Sequence, residues 1–187
     1  VQNSRWFRVS RLASCILIAK IIVLGSTHLL HAQTFNQNLG PSGLPLPRFA
    51  SIKPTRVNVR VGPGSNYSII FTYNKKGLPI EIIQEYDQWR KIRDAEGDEG
   101  WVYQSLLSGK RTAITLPWQK DKTKRLMLRK KPTDNAELVA EVEPNVIGNI
   151  HQCDGQWCEI TINNNIHGWL HQPQLWGIYP DEKIKSW

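Results

Sequence analysis

The chain has 187 residues, 40% of them hydrophobic, a composition that excludes a disordered tail or a membrane-filling bundle and allows one ordinary domain or two small ones. It carries 24 Lys and Arg against 16 Asp and Glu. Arg5, Arg8, Arg11 and Lys20 supply half of that excess, and the remaining 20 basic against 16 acidic side chains form an ordinary solvated surface that argues against a nucleic-acid partner.

Residues 1–32 run from a basic head through an apolar stretch to Ala32, the layout of a secretory signal peptide. Cleavage is expected after Ala32, giving a periplasmic or secreted protein. No membrane span is expected after cleavage, because the apolar run is short and Lys20 interrupts it. "LASC" (12–15) resembles a lipoprotein cleavage motif, but the apolar run follows Cys15 instead of preceding it.

Residues 33–51, rich in Gly, Pro and polar side chains, read as an extended arm. Within it "LPLPR" (44–48) reads as a stiff linker, with a polyproline ligand for an aromatic groove as the alternative.

From there the chain repeats itself. Arg60 and Pro63 match Arg129 and Pro132 at an offset of 69, and Trp89, Gly100, Trp101, Leu107 and Gly109 match Trp157, Gly168, Trp169, Leu175 and Gly177 at an offset of 68. A first unit is expected over 52–109, a linker over 110–124, a second unit over 125–178 and a tail over 179–187. In the first unit, runs rich in Val, Ile, Tyr and Trp place strands near 57–61, 69–73, 78–84, 89–93 and 100–103, with turns at "NKKG" and "AEGDEG". The second unit follows in parallel. Five short strands in so small a unit point to an all-β chain of two tandem barrels, since closure removes exposed edges.

Each unit resembles a bacterial SH3 domain (SH3b). "VNVRVGPGSNY" is similar to that family's opening strand and loop, "WRKI" to its fourth strand and "GWV" to its last. The second unit lacks the loop glycines ("LMLRKKPTDNA") but keeps "WCEI" and "GWL". Leader, arm and two such units together resemble a group of exported Gram-negative proteins of unestablished function.

Trp101 and Trp169 are expected in the core. Trp89 and Trp157 stand equally between core and ligand face, because the comparable tryptophan of eukaryotic SH3 domains lines the ligand groove.

Cys153 aligns with Glu85 and Cys158 with Arg90, both at an offset of 68, so one unit has an opposite-charge pair where the other has two thiols. Both follow if the positions face each other across a hairpin, about 5 Å apart. A disulfide between Cys153 and Cys158 is expected, and export makes it persist. Zinc would need His151, His167 or His171 beside a single cysteine pair, short of the usual two close ligand pairs. A redox dithiol would need CxxC spacing.

No HExxH, GxSxG or distinctive carboxylate pair is present, and "GPGSNY" (62–67) has no following lysine or helix to make a phosphate loop. Neither cofactor, metal nor catalysis is expected. What remains is a non-catalytic exported binding module of the bacterial cell envelope. Its expected ligand is peptidoglycan peptide or an extended peptide, held by Trp89, Tyr67, Tyr73 and Tyr103. The alternative is a structural adaptor that binds another envelope protein. The sequence leaves oligomeric state open.

Overall fold

The structure, a computed structural model, describes residues 38–121 and 123–185. The expected leader, its cleavage point after Ala32 and Cys15 lie outside the described residues, as does the beginning of the arm.

The first unit is built from β1 (Arg48–Ile52), β2 (Val57–Arg60), β3 (Ile69–Tyr73), β4 (Pro79–Tyr86), β5 (Trp89–Arg93), β6 (Glu99–Tyr103) and β7 (Leu107–Ser108). They lie in the order β3-β2-β6-β5-β4-β1-β7, with neighbours antiparallel. The second unit has β8 (Thr112–Thr115), β9 (Leu126–Arg129), β10 (Leu138–Val142), β11 (Ile147–Asp154), β12 (Trp157–Ile162), β13 (Ile166–His171) and β14 (Leu175–Trp176). Their order, β10-β9-β13-β12-β11-β8-β14, repeats that of the first, and β15 (Lys183–Ile184) adds to β11. The five strands expected in each unit are present, within two residues of their expected ends in the first.

Three strands come from segments outside the two expected units, β15 in the tail and two others. β1 ends the extended arm and pairs with β4 and β7, and β8 arises inside the linker and pairs with β11 and β14. All four residues of β8 are buried, so "TAIT" shows none of the alternation that marks a half-buried strand.

Alternation along the strands builds one apolar centre per barrel. In the first, Val57, Val59, Ile80, Ile82, Ile92 and Val102 point inward with Ala50 and Ile52 of β1. In the second, Leu126, Leu128, Ile150, Ile160, Ile162 and Leu170 do the same. Gly100 explains why glycine precedes tryptophan in the closing strand: a Cβ there would stand 2.4 Å from Val59 Cγ1, so only glycine lets β6 approach β2. Gly168 repeats this against Leu128 and the Arg129 carbonyl.

The long hairpins carry the same irregularity. Register slips between Ile82 and Gln84 in β4, and between Ile150 and Gln152 in β11. Such a one-residue bulge re-aims the residues beyond it. Glu85 then faces Arg90, and Cys153 faces Cys158.

The two barrels touch through named contacts. The Phe49 ring packs edge-on against Trp176 at 5.0 Å and at a tilt against Tyr179 at 4.7 Å, and the Arg111 guanidinium lies over it at 5.7 Å. Arg111 holds both carboxylate oxygens of Glu182, and the Tyr179 hydroxyl donates to Glu81 Oε1 at 2.9 Å. Trp176 thus joins the two units, whereas Trp118, the other tryptophan near the junction, is exposed.

Candidate functional site

The outward face of β5 and β6 carries the most developed aromatic surface of the first barrel. Arg90 and Ile92 of β5 point inward, so Trp89 points out. Trp89 and Tyr103 are direct cross-strand partners, and their rings meet edge-to-face with centroids 5.5 Å apart. Such pairing holds both rings in place without burying them. They wall an open groove of about 360 Å³, completed by Arg56, Val57, Asn58, Arg60 and Leu106.

The groove is held from behind by buried charge. Arg90 is 7% exposed and donates to the carbonyls of Asp87 and Trp89 at 2.8 and 2.9 Å, fixing the turn from which Trp89 projects. Its Nε lies 3.2 Å from Glu85 Oε1. Glu85 also accepts from the Ser42 amide and hydroxyl, each at 2.8 Å, and from Arg48 Nη2 at 2.6 Å. Burial alone would raise the Glu85 carboxyl, but the Ser42 and Arg48 hydrogen bonds and the Arg48 charge outweigh it and bring the pKa down to about 2. The arm is therefore fastened to the barrel, with Leu46 packed against its apolar centre, and is closed on itself by the Leu39–Pro45 bridge. In "LPLPR", Leu46 and Arg48 contact the first barrel itself, so this stretch is not only a spacer.

The other two tyrosines expected in the site lie elsewhere. Tyr73 is half-buried, its ring edge-on to Phe71 at 5.2 Å and its hydroxyl donating to Asp94 Oδ2 at 2.9 Å. Burial, then the Asp94 charge and hydrogen bond, push that hydroxyl well above the usual phenol range. Tyr67 lies over its own loop, where a Cβ on Gly62 would come within 2.6 Å of its ring. Neither lines the Trp89 groove. The sequence shows which residues are aromatic, but the face each reaches depends on register and loop path.

The second barrel keeps the frame and closes the groove. Trp157 is 6% exposed, and His171, at the Tyr103 position, stacks on it at 3.7 Å. His171 is held by Asp134 at 2.8 Å from the β9–β10 loop. The loops correspond bond for bond: Arg60 Nη1 donates to the Tyr67 carbonyl at 2.6 Å and Arg129 Nη1 to that of Ala136 at 3.1 Å. With Ala136 in place of Tyr67, no ring needs room, which accounts for the missing glycines of the second loop.

Trp101 is buried and Trp169 half-buried, yet neither joins the central apolar cluster of its barrel. Each stands opposite an arginine, Arg60 and Arg129; Trp101 is buried as expected of a core residue, whereas half-buried Trp169 corrects the expectation for the second barrel. In β13 the reason is parity: Leu170, one residue further on, is the inward-facing member.

Cys153 and Cys158 form a disulfide, with Cα atoms 4.2 Å apart at a paired register position. Glu85 and Arg90 pair at the same place in the first hairpin. Among the described residues, no group of three or more His, Cys, Asp or Glu side chains is set to hold a metal. Nor is any helix among them long and apolar enough to cross a membrane.

The bacterial SH3 domain family model matches residues 53–109 and 122–177. No curated protein matches the chain. Among solved structures, NlpC2 from Trichomonas vaginalis is similar at 13% identity and a TM-score of 0.29, over 70% of this chain and 48% of that one. An NlpC/P60 family protein from Bacillus cereus ATCC 10987 is similar at 12% identity and a TM-score of 0.30, over 74% of this chain and 57% of that one. The chain thus spans about half the length of these structures.

Proposed function

Because this chain belongs to the bacterial SH3 domain family, we propose that it is a non-catalytic binding protein of the bacterial cell envelope, exported to the periplasm or beyond. Its ligand is an extended peptide, the peptide of peptidoglycan in the first instance, gripped in the groove that Trp89 and Tyr103 wall. The observation that carries this reading is the asymmetry of the two barrels: the aromatic pair is open and flanked by Arg56 and Arg60 in the first, whereas its counterpart in the second is buried under His171. An open aromatic wall with cationic flanks suits an extended chain carrying carboxylates. Retention on purified sacculi tests it. Wild-type protein stays bound and Trp89→Ala washes off; equal retention of the two, or none of the wild type, removes the assignment.

A second reading, an adaptor that docks on another envelope protein, is favoured by the sheet edges. β3 and β10 end their sheets, and each carries two exposed apolar residues at equivalent places, Ile69 and Ile70 in one, Leu138 and Val139 in the other. Such edges accept an added strand. Crosslinking in intact cells separates the readings, since an adaptor yields one stoichiometric protein partner that is lost on Ile70→Lys or Val139→Lys.

A further inference from the structure

A second binding surface lies between the barrels, away from the aromatic groove. It is a cleft of about 690 Å³, within the range of about 300 to 1,000 Å³ that ligand sites occupy. Its floor is apolar, formed by Ile52, Val146 and Ile147, and a Cβ added at Gly77 of the first barrel would meet Ile147 Cγ2 of the second at 3.9 Å. One wall and the junction supply Lys53, Lys75, Lys76 and Lys110, all exposed. No carboxylate lines the cleft, and among the described residues none of these four ammonium groups makes an ion pair. The other wall, from the second barrel, presents Asn145, Asn149, Asn163 and Asn164. Three of them, Asn145, Asn163 and Asn164, sit at positive φ in tight turns, a conformation asparagine tolerates better than most side chains.

The two walls ask different things of a ligand. Four like charges converging without a counter-charge raise the local potential and attract an anion. The asparagine amides, three of them exposed, suit a partner that donates as well as accepts, because each offers both an acceptor oxygen and an N–H pair. A phosphate chain pairs with the lysines and accepts from the amide N–H groups but leaves the amide oxygens to water. Single-stranded nucleic acid binds on aromatic stacking platforms, and no aromatic residue lines this cleft. A peptide with several carboxylates satisfies both walls, its side chains reaching the lysines and its backbone the asparagines. We infer that the inter-barrel cleft binds an acidic peptide segment, at a site independent of Trp89.

Fluorescence anisotropy with a labelled hexaglutamate peptide on the full chain tests this, with hexaglutamine and inorganic tripolyphosphate as comparison probes. Hexaglutamate is expected to bind, hexaglutamine not to bind, and Lys75→Glu with Lys76→Glu to weaken binding at least about tenfold. The control pair Lys131→Glu with Lys185→Glu changes net charge equally outside the cleft and is expected to leave affinity within about threefold. Asn163→Ala with Asn164→Ala is expected to weaken hexaglutamate several-fold and tripolyphosphate less. Trp89→Ala is expected to have no effect, so the test is separate from sacculus retention. Absence of hexaglutamate binding, an equal loss in the control pair, loss on Trp89→Ala, or indifference to the asparagine changes would each overturn the inference. Circular dichroism confirms that each variant is folded.

Discussion

Glu85 stands in the first barrel where Cys153 stands in the second, and each marks the place at which a flanking segment fastens on. Glu85 takes the arm through Ser42 and Arg48, while Cys153 of β11 pairs with Ile184 of β15. The cross-strand partner differs accordingly, an arginine in one hairpin and a bonded cysteine in the other. The ionic solution suits a site that must also hold an incoming chain, because one carboxylate serves several donors at once. A disulfide closes the hairpin but leaves no acceptor for an arm.

Glu85→Gln is therefore expected to destabilise the protein by about 3 kcal/mol, since it leaves Arg48 and Arg90 without their shared counter-charge. Urea unfolding measures the loss. Hydrogen exchange on residues 38–47 is expected to accelerate more than exchange in the second barrel, because the arm loses its anchor. A uniform change across both barrels would contradict the anchoring role.

The same carboxylate sets an acid-sensitive component of stability. Its pKa falls from the ordinary 4.5 to about 2 on folding, so the native state favours the ionised form. The contribution is complete above about pH 4.5 and disappears as pH falls through about 2, and the shift corresponds to roughly 3 kcal/mol. The stability gap between wild type and Glu85→Gln is expected to be constant from neutral pH to about 5 and to close towards pH 2. Parallel unfolding curves over that range would show the gap failing to close.

Much of this was legible in the sequence, and the rest fails for identifiable reasons. The five strands of each unit announce themselves through Val, Ile and Trp runs between turn signals, and the 68-residue offset alone aligns Cys153 with Glu85 and Cys158 with Arg90. β1 and β8 escape because the anchors of the repeat begin after them. The Ser42–Glu85 bond joins residues 43 apart and leaves no periodic trace. Trp89 and Tyr103 could be brought together from strand pairing; Tyr67 and Tyr73 needed the loop path and the Asp94 contact, which residue types alone do not encode.

Joining Cys153 to Cys158 closes a loop with a sequence separation of 5, for which chain entropy gives about 2 kcal/mol. Cys153→Ser with Cys158→Ser is expected to cost about that much, and more if the buried hydroxyls lack partners. Thermal unfolding followed by hydrogen exchange should localise the loss to β11, β12 and β15. Reductant should reproduce it in the wild type and leave the double variant unaffected.

The two equivalent tryptophans should answer truncation differently. Trp157 is 6% exposed and stacked on His171, so Trp157→Ala is expected to cost about 3 to 5 kcal/mol. Trp89 is half-buried on an open groove, and Trp89→Ala is expected to cost clearly less while abolishing any ligand-dependent change in tryptophan fluorescence. Equal stability losses would mean that the first groove is as closed as the second.

The loop glycines of the first barrel yield a test of coupling. A methyl group on Gly62 would stand 2.6 Å from the Tyr67 ring, and one on Gly64 would stand 3.1 Å from it, so the ring covers both. Gly62→Ala must therefore displace Tyr67, with an expected cost of about 1 to 3 kcal/mol. In a Tyr67→Ala background the methyl meets no ring, and the same substitution is expected to be close to neutral, as the second barrel suggests with Lys131 and Ala136 at these positions. The coupling energy from the four-member cycle should then account for most of the single-variant loss. If Gly62→Ala costs the same with and without the ring, the glycine is required by backbone conformation, and the explanation for its absence from the second loop fails.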